Sequence, residues 1–346
     1  MKTTIIGLDL AKNIFHTVEL GAHDKPSKRK RYTRTRLKVA FSNRQSAIIA
    51  MEACAGAQYW ARLFQSQGHQ VAMLPAQHVK AYARGQKNDY NDAQAIAEAC
   101  LHNRVRSVPV KSVQQQDQQA IFRMRTLTVE TRAQLVNQLR GLLAEYGLVI
   151  GQGISRLRKA IPLILEDADN GLSDLMRQLL QQRYQHLLTL DEQLEWFNQQ
   201  IHRQAAQDSV CQRLQTIPGF GPIVSSVMLA WIGDGRQFRH GRDASAALGV
   251  VPRQHTSGDK QQLYGITKKG NKYLRALVIH GARSVVKHAA NKQDSLNRWI
   301  MRLVESRGKN RATVALANKL IRIAWVIVTR KENYRPREEL MLTAGV

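Results

Sequence analysis

Four acidic side chains carry the chemistry that this sequence offers. Asp9 closes the apolar run Ile5-Ile6-Gly7-Leu8-Asp9, and Glu52 closes another, Ala47-Ile48-Ile49-Ala50-Met51-Glu52. Asp89 and Asp92 lie in Lys87-Asn88-Asp89-Tyr90-Asn91-Asp92-Ala93, just ahead of a helical pattern. Breaking and remaking a phosphodiester requires that the attacking and leaving oxygens be stabilised together. Two divalent ions about 4 Å apart do this when carboxylates hold them. Hard oxygen ligands suit Mg²⁺, so two Mg²⁺ ions are the expected cofactor. Adjacent strand ends lie about 5 Å apart, so Asp9 and Glu52 could share one ion. An i, i+3 spacing turns Asp89 and Asp92 to one side of a helix. Four carboxylates this close would repel one another without metal. Each also has an ordinary reading: Asp89 as an N-cap, Asp92 as a first-turn acid favoured by the helix dipole, Glu52 as a surface residue. The expectation of a metal site rests on the four together.

The 346 residues include 52 Lys and Arg against 26 Asp and Glu, a net charge of +26 that calls for a polyanionic partner. No apolar stretch approaches the roughly 20 residues of a membrane span, and no secretory leader pattern opens the chain, so a cytoplasmic nucleic-acid protein with no membrane partner is expected. Cys54, Cys100 and Cys211 are too scattered for a zinc site or a disulfide framework. At roughly 150 residues per domain the length predicts two or three domains.

The elements that must position the acids are legible as alternation. Strands are predicted over Thr3–Leu10, Phe15–Leu20, Ser46–Glu52 and Val71–Leu74, with a helix over Tyr59–Gln67 ended by Gly68 and another opened by Pro75. Strands alternating with helices imply an α/β domain. From Gln114 the pattern is helical until Gly147, Gly151 and Gly153 interrupt it. A second helical stretch follows Pro162, where Leu187, Leu190, Leu194, Phe197 and Ile201 step by three and four. That seam fits a helical hairpin, a coiled-coil contact between copies, or an ordinary amphipathic helix. Ile217-Pro218-Gly219-Phe220-Gly221-Pro222 reads as helix, tight turn, helix; residues 240–270 read as loop; residues 270–290 and 295–330 read as helix, with Trp231 and Trp325 as core.

Candidate nucleic-acid contacts follow the charge. Lys25, Lys28, Arg29, Lys30, Arg31, Arg34, Arg36 and Lys38 crowd one expected hairpin with no acid among them, and Tyr32 could stack on a base. Lys87 precedes the acidic pair. Lys268, Lys269, Lys272 and Arg275 form a second basic group. Arg123, Arg132 and Arg140 lie along the long helix, where Glu130 or Glu145 could engage some of them. Gly219 and Gly221 could let backbone N–H groups approach a phosphate, as in a helix-hairpin-helix turn, or could simply join two helices.

Asp9 in Gly-Leu-Asp-Leu-Ala-Lys, Glu52 in Met-Glu-Ala-Cys-Ala-Gly, and Asp89-Tyr-Asn-Asp92-Ala resemble the DEDD tetrad of the IS110 family of insertion-sequence transposases, to which the Piv DNA invertase is related. Asn137 to Gly147, Ile217 to Gly221, and Gly270-Asn271-Lys272-Tyr273-Leu274-Arg275 resemble later blocks of that family, in order, over nearly the whole chain; the spacing is closest to the IS1111 subgroup. The resemblance implies a RuvC-like catalytic domain of RNase H fold over residues 1–113, with its last long helix at 114–147. It further implies a helical or coiled-coil region over 148–208, and a mostly helical C-terminal transposase domain over 209–346. The family's serine follows a Gly-x-x-Pro-Arg segment. Here Gly249-Val250-Val251-Pro252-Arg253 leads into Gln254-His255-Thr256-Ser257-Gly258, so Ser257 matches the nucleophile. Read alone, the Ser-Gly pair is ordinary turn chemistry, and Thr256 and His255 are neighbouring candidates for a hydroxyl and a base. The resemblance also implies a homo-oligomer, dimer to tetramer, with a site shared between subunits. Its partners would be donor and target DNA and an element-encoded bridge or seeker RNA. The rival readings are a metal-dependent junction nuclease that needs no serine, an invertase that needs no RNA, and a non-catalytic RNA-binding scaffold.

Overall fold

Residues 3–83, 86, 88–102, 105, 107–258 and 260–336 are described by the computed structural model. The chain divides into two compact units, Met1–Gln116 and Asp117–Val346. The first unit is mixed α/β. Its strands are β1 (Ile5–Asp9), β2 (Ile14–Leu20), β3 (Pro26–Thr33), β4 (Ile48–Glu52) and β5 (Gln70–Leu74), ordered β3-β2-β1-β4-β5. β1, β2 and β3 pair antiparallel, whereas β1, β4 and β5 pair parallel. Its helices are α1 (Arg34–Ser42), α2 (Ala57–Ser66), α3 (Ala76–Val79) and α4 (Asp89–Leu101). The basic segment is thus divided: Lys28 to Arg31 lie on β3, while Arg34, Arg36 and Lys38 lie on α1 rather than on a hairpin.

Period-2 alternation assigns the two faces of the sheet. Ile6, Leu8, Phe15, Ile49, Met51 and Met73 pack with Leu37 and Phe41 of α1 and Trp60 and Phe64 of α2. On the other face the core is thinner: Ala50, Ala72 and Leu74 meet Ala95, Ile96 and Ala99 of α4. Ala93, Ala95, Ala97 and Ala99 are all buried, so α4 presents a small-residue surface that can lie close to the strands. Gly7 completes the fit. A Cβ at Gly7 would overlap the Ala93 carbonyl oxygen and lie 2.8 Å from the Ala97 Cβ. A glycine inside a strand marks such an approach of another backbone. Because Gly7 sits two residues before Asp9, this contact also sets where the first turn of α4 lies relative to the end of β1.

The second unit is mostly helical. α5 (Val113–Ala144) enters it and is followed by α6 (Ile154–Glu166), α7 (Asp174–Gln207), α8 (Ser209–Gln215), α9 (Pro222–Ile232) and α10 (Gly241–Leu248). A hairpin of β6 (Pro252–Ser257) and β7 (Lys260–Ile266) comes next, then α11 (Lys272–Lys287), α12 (Ser295–Arg307) and α13 (Lys309–Arg330). Pro162 lies inside α6 rather than ahead of a helix. The stretch read as loop over 240–270 is instead a helix and a β-hairpin, whose strand-forming signal is weak because β6 is exposed throughout and lacks apolar alternation. Arg125 Nε donates to Asn198 Oδ1 at 2.8 Å and Arg132 Nη1 pairs with Asp191 Oδ1 at 2.8 Å, so α5 and α7 run antiparallel. Leu187 and Leu190 of the α7 seam join Leu135, Leu139 and Leu143 of α5, whereas Ile201 joins the C-terminal core. The seam therefore serves packing within the chain. α13 is long and apolar enough to cross a membrane by length and composition, contrary to the expectation from sequence. Leu316, Ala317, Leu320, Ile321 and Ala324 are nevertheless fully buried in the C-terminal core.

Gly7→Ala should displace α4 from β1 and lower DNA strand transfer by about tenfold to a hundredfold, the range expected for misplacement of about 1 Å. Far-ultraviolet circular dichroism should remain near native. Full activity in this variant would show that the Gly7 contact does not position the acids.

Candidate active site

Parallel pairing of Leu8 with Met51 puts Asp9 and Glu52 side by side, one residue further along β1 and β4. Asp9 pairs on its other side with His16 of β2, and His16 pairs with Arg31 of β3. Directly paired residues share a face of a sheet, so Arg31, His16, Asp9 and Glu52 form a row across four strands. The remaining acids come from α4. Asn88 caps that helix, its Oδ1 accepting from the Tyr90 N–H at 2.8 Å. Asp89 is therefore the first helical residue rather than the N-cap, and Asp92 completes the first turn. Asp89 Oδ2 lies 3.2 Å from His16 Nδ1, and the Tyr90 ring packs edge-on to the His16 ring at 4.7 Å.

The charges of Asp89, Asp92 and Glu52 all act on Asp9. Asp9 is raised from 3.8 to about 6, by burial first and then by the charges of Asp92, Asp89 and Glu52, with His16 acting in the opposite sense. Glu52 is also raised, by burial and by Asp92. Asp92 thus acts on both strand-end carboxylates. Ligand atoms of Asp9, His16 and Asp89 lie within 4.8 Å of one another. Asp9 and Glu52, partly buried and disfavoured in their charged forms, suit the neighbourhood of a divalent cation, whose charge would remove that penalty. His16 was not among the sequence candidates. The signal that could have found it is its place on β2 beside Asp9, which needs the hairpin register.

Ser257 lies in the second unit, at the exposed end of β6, paired across the hairpin tip with Lys260. Gly258 follows it with φ +59°. Thr256 Oγ1 accepts a hydrogen bond from Gln254 Nε2 at 2.9 Å, and His255 is paired with Gln262. The base of the hairpin is clamped. A Cβ at Gly249 would overlap the backbone of Lys269, and one at Gly270 would overlap the Ala247 carbonyl oxygen; both glycines have positive φ. Arg275 is buried and its Nη1 donates to Leu248 O at 3.0 Å and Lys269 O at 2.6 Å. It braces the two ends of the hairpin segment and is not a surface phosphate ligand, contrary to the expectation from sequence.

The remaining basic candidates separate into exposed and committed groups. Lys28, Arg29, Lys30, Arg31, Arg36, Lys268, Lys269, Lys272 and Arg123 are exposed. Arg29 also reaches Gln94 Oε1 of α4 at 3.3 Å. Arg34 stacks over the rings of Trp60 and Tyr59, 5.0 and 5.4 Å from their centroids. Arg132 is held by Asp191, and Arg140 donates to the Ile150 carbonyl at 3.1 and 3.3 Å; neither uses Glu130 or Glu145. Tyr32 packs edge-on to Phe41 and is half-buried, which opposes a base-stacking role. A Cβ at Gly219 would lie 2.6 Å from Gly281 O, so this glycine serves close packing of the α8–α9 turn on α11 rather than approach to a phosphate. Gly221 is the N-cap of α9, with open space around it. Lys87 lies outside the described residues.

Comparison with known families gives the arrangement its context. Residues 6–148, which contain all four acids, match the DEDD transposase domain of the IS110 family, and residues 211–297, which contain Ser257, match the transposase family described as IS116/IS110/IS902. The chain belongs to the IS110 family of insertion-sequence transposases. It is 42% identical to the transposase for insertion sequence element IS1111A of Coxiella burnetii, over 96% of this chain and 91% of that protein, which supports the IS1111 subgroup. It is 40% identical to a probable family 20 transposase of Pseudomonas aeruginosa, over 97% of this chain and 100% of that protein. It is also 36% identical to the transposase for insertion sequence element IS1328 of Yersinia enterocolitica, over 94% of this chain and 97% of that protein. An IS110-family transposase is an enzyme of DNA strand transfer, with DNA as substrate, and its DEDD domain suggests use of a divalent metal.

The raised Asp9 carboxyl has a sign that can be tested. Below 3.8 it is protonated in both folded and unfolded chains; between 3.8 and about 6 only the folded state retains the proton; above about 6 the folded state carries a charge it disfavours. The contribution of Asp9 to the stability of the metal-free protein therefore falls as pH rises through this window. Near neutral pH, Asp9→Asn should raise the metal-free melting temperature by about 2–4 °C and largely abolish the rise produced by Mg²⁺ or Mn²⁺. Differential scanning fluorimetry measures both; a lowered melting temperature with an intact ion response would contradict this account.

Proposed function

We propose that this transposase is an RNA-guided, Mg²⁺-dependent recombinase that uses Ser257 as its nucleophile. The observation that carries the catalytic part is the convergence of Asp9, Glu52, Asp89 and Asp92 at adjoining strand and helix ends. We read the first unit as RuvC-like, of RNase H fold. The support is its strand order, three antiparallel strands followed by two parallel ones with β1 central, and an acid at the end of that central strand.

Asp9, Glu52, Asp89 and Asp92 would hold two Mg²⁺ ions, with His16 orienting Asp89. When bound, the ions supply neutralisation of the phosphate and of the oxygens that gain charge. Arg31, in the same row as Asp9 and His16, would draw a backbone phosphate toward the acids. Ser257 would lose its hydroxyl proton and attack the phosphorus through Oγ, while the sugar oxygen leaves and is protonated. The phosphoserine bond then retains the energy needed to rejoin a strand. Its placement on a projecting hairpin supports this role, since an exposed Oγ can reach a DNA strand. The acids and Ser257 lie in different units of the chain, which is compatible with a site completed between subunits of a dimer or tetramer. Exchange between two duplexes would favour such symmetry.

Guidance by an element-encoded RNA rests on the family resemblance and on the +26 charge, which exceeds what a few base-reading contacts require. The protein would bind RNA and DNA through shape and phosphates, with sequence read by base pairing.

The deciding experiment incubates the protein with RNA from its element's flanks, labelled donor and target DNA, and Mg²⁺, and looks for DNA covalently bound to protein. The adduct should require the RNA and fall by about three orders of magnitude or more in Ser257→Ala. DNA cleavage without an adduct, unchanged in Ser257→Ala, would make this a hydrolase and overturn the serine assignment. An adduct formed equally well without RNA would overturn guidance.

A further inference from the structure

The second unit contains a cavity of about 520 Å³ between one face of α5, the C-terminal half of α9 and the start of α11. Its size falls within the range of small-molecule sites. We propose that it receives a single unstacked nucleobase from a bound nucleic-acid strand. The inference rests on the chain acting on nucleic acid and assigns a pocket distinct from both the acidic site and the serine hairpin.

The lining has the chemistry of a base site. Phe122 is buried and Trp231 is braced against the Phe238 ring, 5.2 Å away at 33°, so both offer fixed apolar or aromatic surface. Tyr273 adds a third ring. Its hydroxyl oxygen is shielded from solvent, so the residue offers the cavity its ring. Gln119 and Asn271 also line the cavity, and amide side chains can meet the mixed donors and acceptors of a base edge. Asn271 Oδ1 already accepts from Leu274 N at 3.1 Å, which leaves its NH₂ to donate. Arg123 and Glu130 line the cavity, and Lys272, flanked by the lining residues Asn271 and Tyr273, is exposed. The two cations outnumber the acid and suit the phosphates on either side of an extruded base.

An aliphatic side chain from a protein partner would fill the apolar surface but leave the Gln119 and Asn271 amides unmet. A base satisfies ring, edge and charge together, and stacking on aromatic side chains is how proteins hold single-stranded bases without reading sequence. Strand exchange exposes unpaired nucleotides, and capturing one would fix the register of the strand.

The test uses the full chain with single-stranded DNA and RNA oligonucleotides carrying photoreactive 5-iodouracil, and maps adducts by mass spectrometry. Affinities for ordinary and abasic strands of equal length are measured in parallel. Adducts are expected on Trp231 or Tyr273. An adduct in the DNA arm alone assigns the base to DNA, and one in the RNA arm alone assigns it to RNA. Trp231→Leu should weaken binding of base-containing strands by about 5- to 100-fold and leave abasic binding unchanged. Tyr273→Phe, which keeps the ring, should bind both kinds of strand as the wild type does and so shows that a change in the lining leaves the fold intact. Strands that bind without adducts at either residue, or equal loss for ordinary and abasic strands, would overturn the pocket assignment while leaving the proposed function standing. Failure of the wild-type chain to bind either strand would overturn both.

Discussion

Acidic side chains held close together and partly out of water are the constraint on which the first unit is built. Asp9 and Glu52 are brought together by parallel strand pairing, and α4 adds Asp89 and Asp92 to them. Burial first, and then the charges of Asp92, Asp89 and Glu52, push Asp9 up to about 6. What holds the acids in place is apolar and steric: strands buried on both faces, an alanine surface on α4, and Gly7, which lets the helix backbone rest on β1. The unit therefore stores an unfavourable charge arrangement that a divalent cation would relieve. Functional sites commonly have this character, with local instability offset by the surrounding packing.

A different principle governs the serine hairpin. It has almost no core of its own, since β6 is exposed throughout. Its position is determined at its base, where Gly249 and Gly270 permit close backbone contact with the end of α10 and Arg275 ties Leu248 to Lys269. A side chain that sequence alone assigns to phosphate binding is thus structural, and the exposed cations nearby remain available for DNA. Arg132 and Arg140 on α5 follow the same pattern: in a strongly basic chain, some cations are used to join helices and fix loops.

Much of the first unit was legible because its signals are local. Ile5 to Asp9 and Ala47 to Glu52 are apolar runs ended by an acid, and both are strands, as expected. The neighbours of the acids were less legible where they depend on pairing. His16 becomes a neighbour of Asp9 only through the β1–β2 register, and Arg31 joins the row only through β2–β3. Gly7 looks like one glycine in a strand until α4 is placed over it. The hairpin bearing Ser257 was read as loop because Pro252 to Ser257 has no buried alternate face, which is the signal that sequence patterning depends on. Pro162 misled in the other direction, being accommodated inside α6.

Crystals grown with Mn²⁺ and examined by anomalous scattering decide whether the four acids form a divalent-metal site. Two peaks about 4 Å apart are expected, within ligand distance of Asp9, Glu52, Asp89 and Asp92. Peaks bound elsewhere, or none at these carboxylates under saturating Mn²⁺, would contradict such a site.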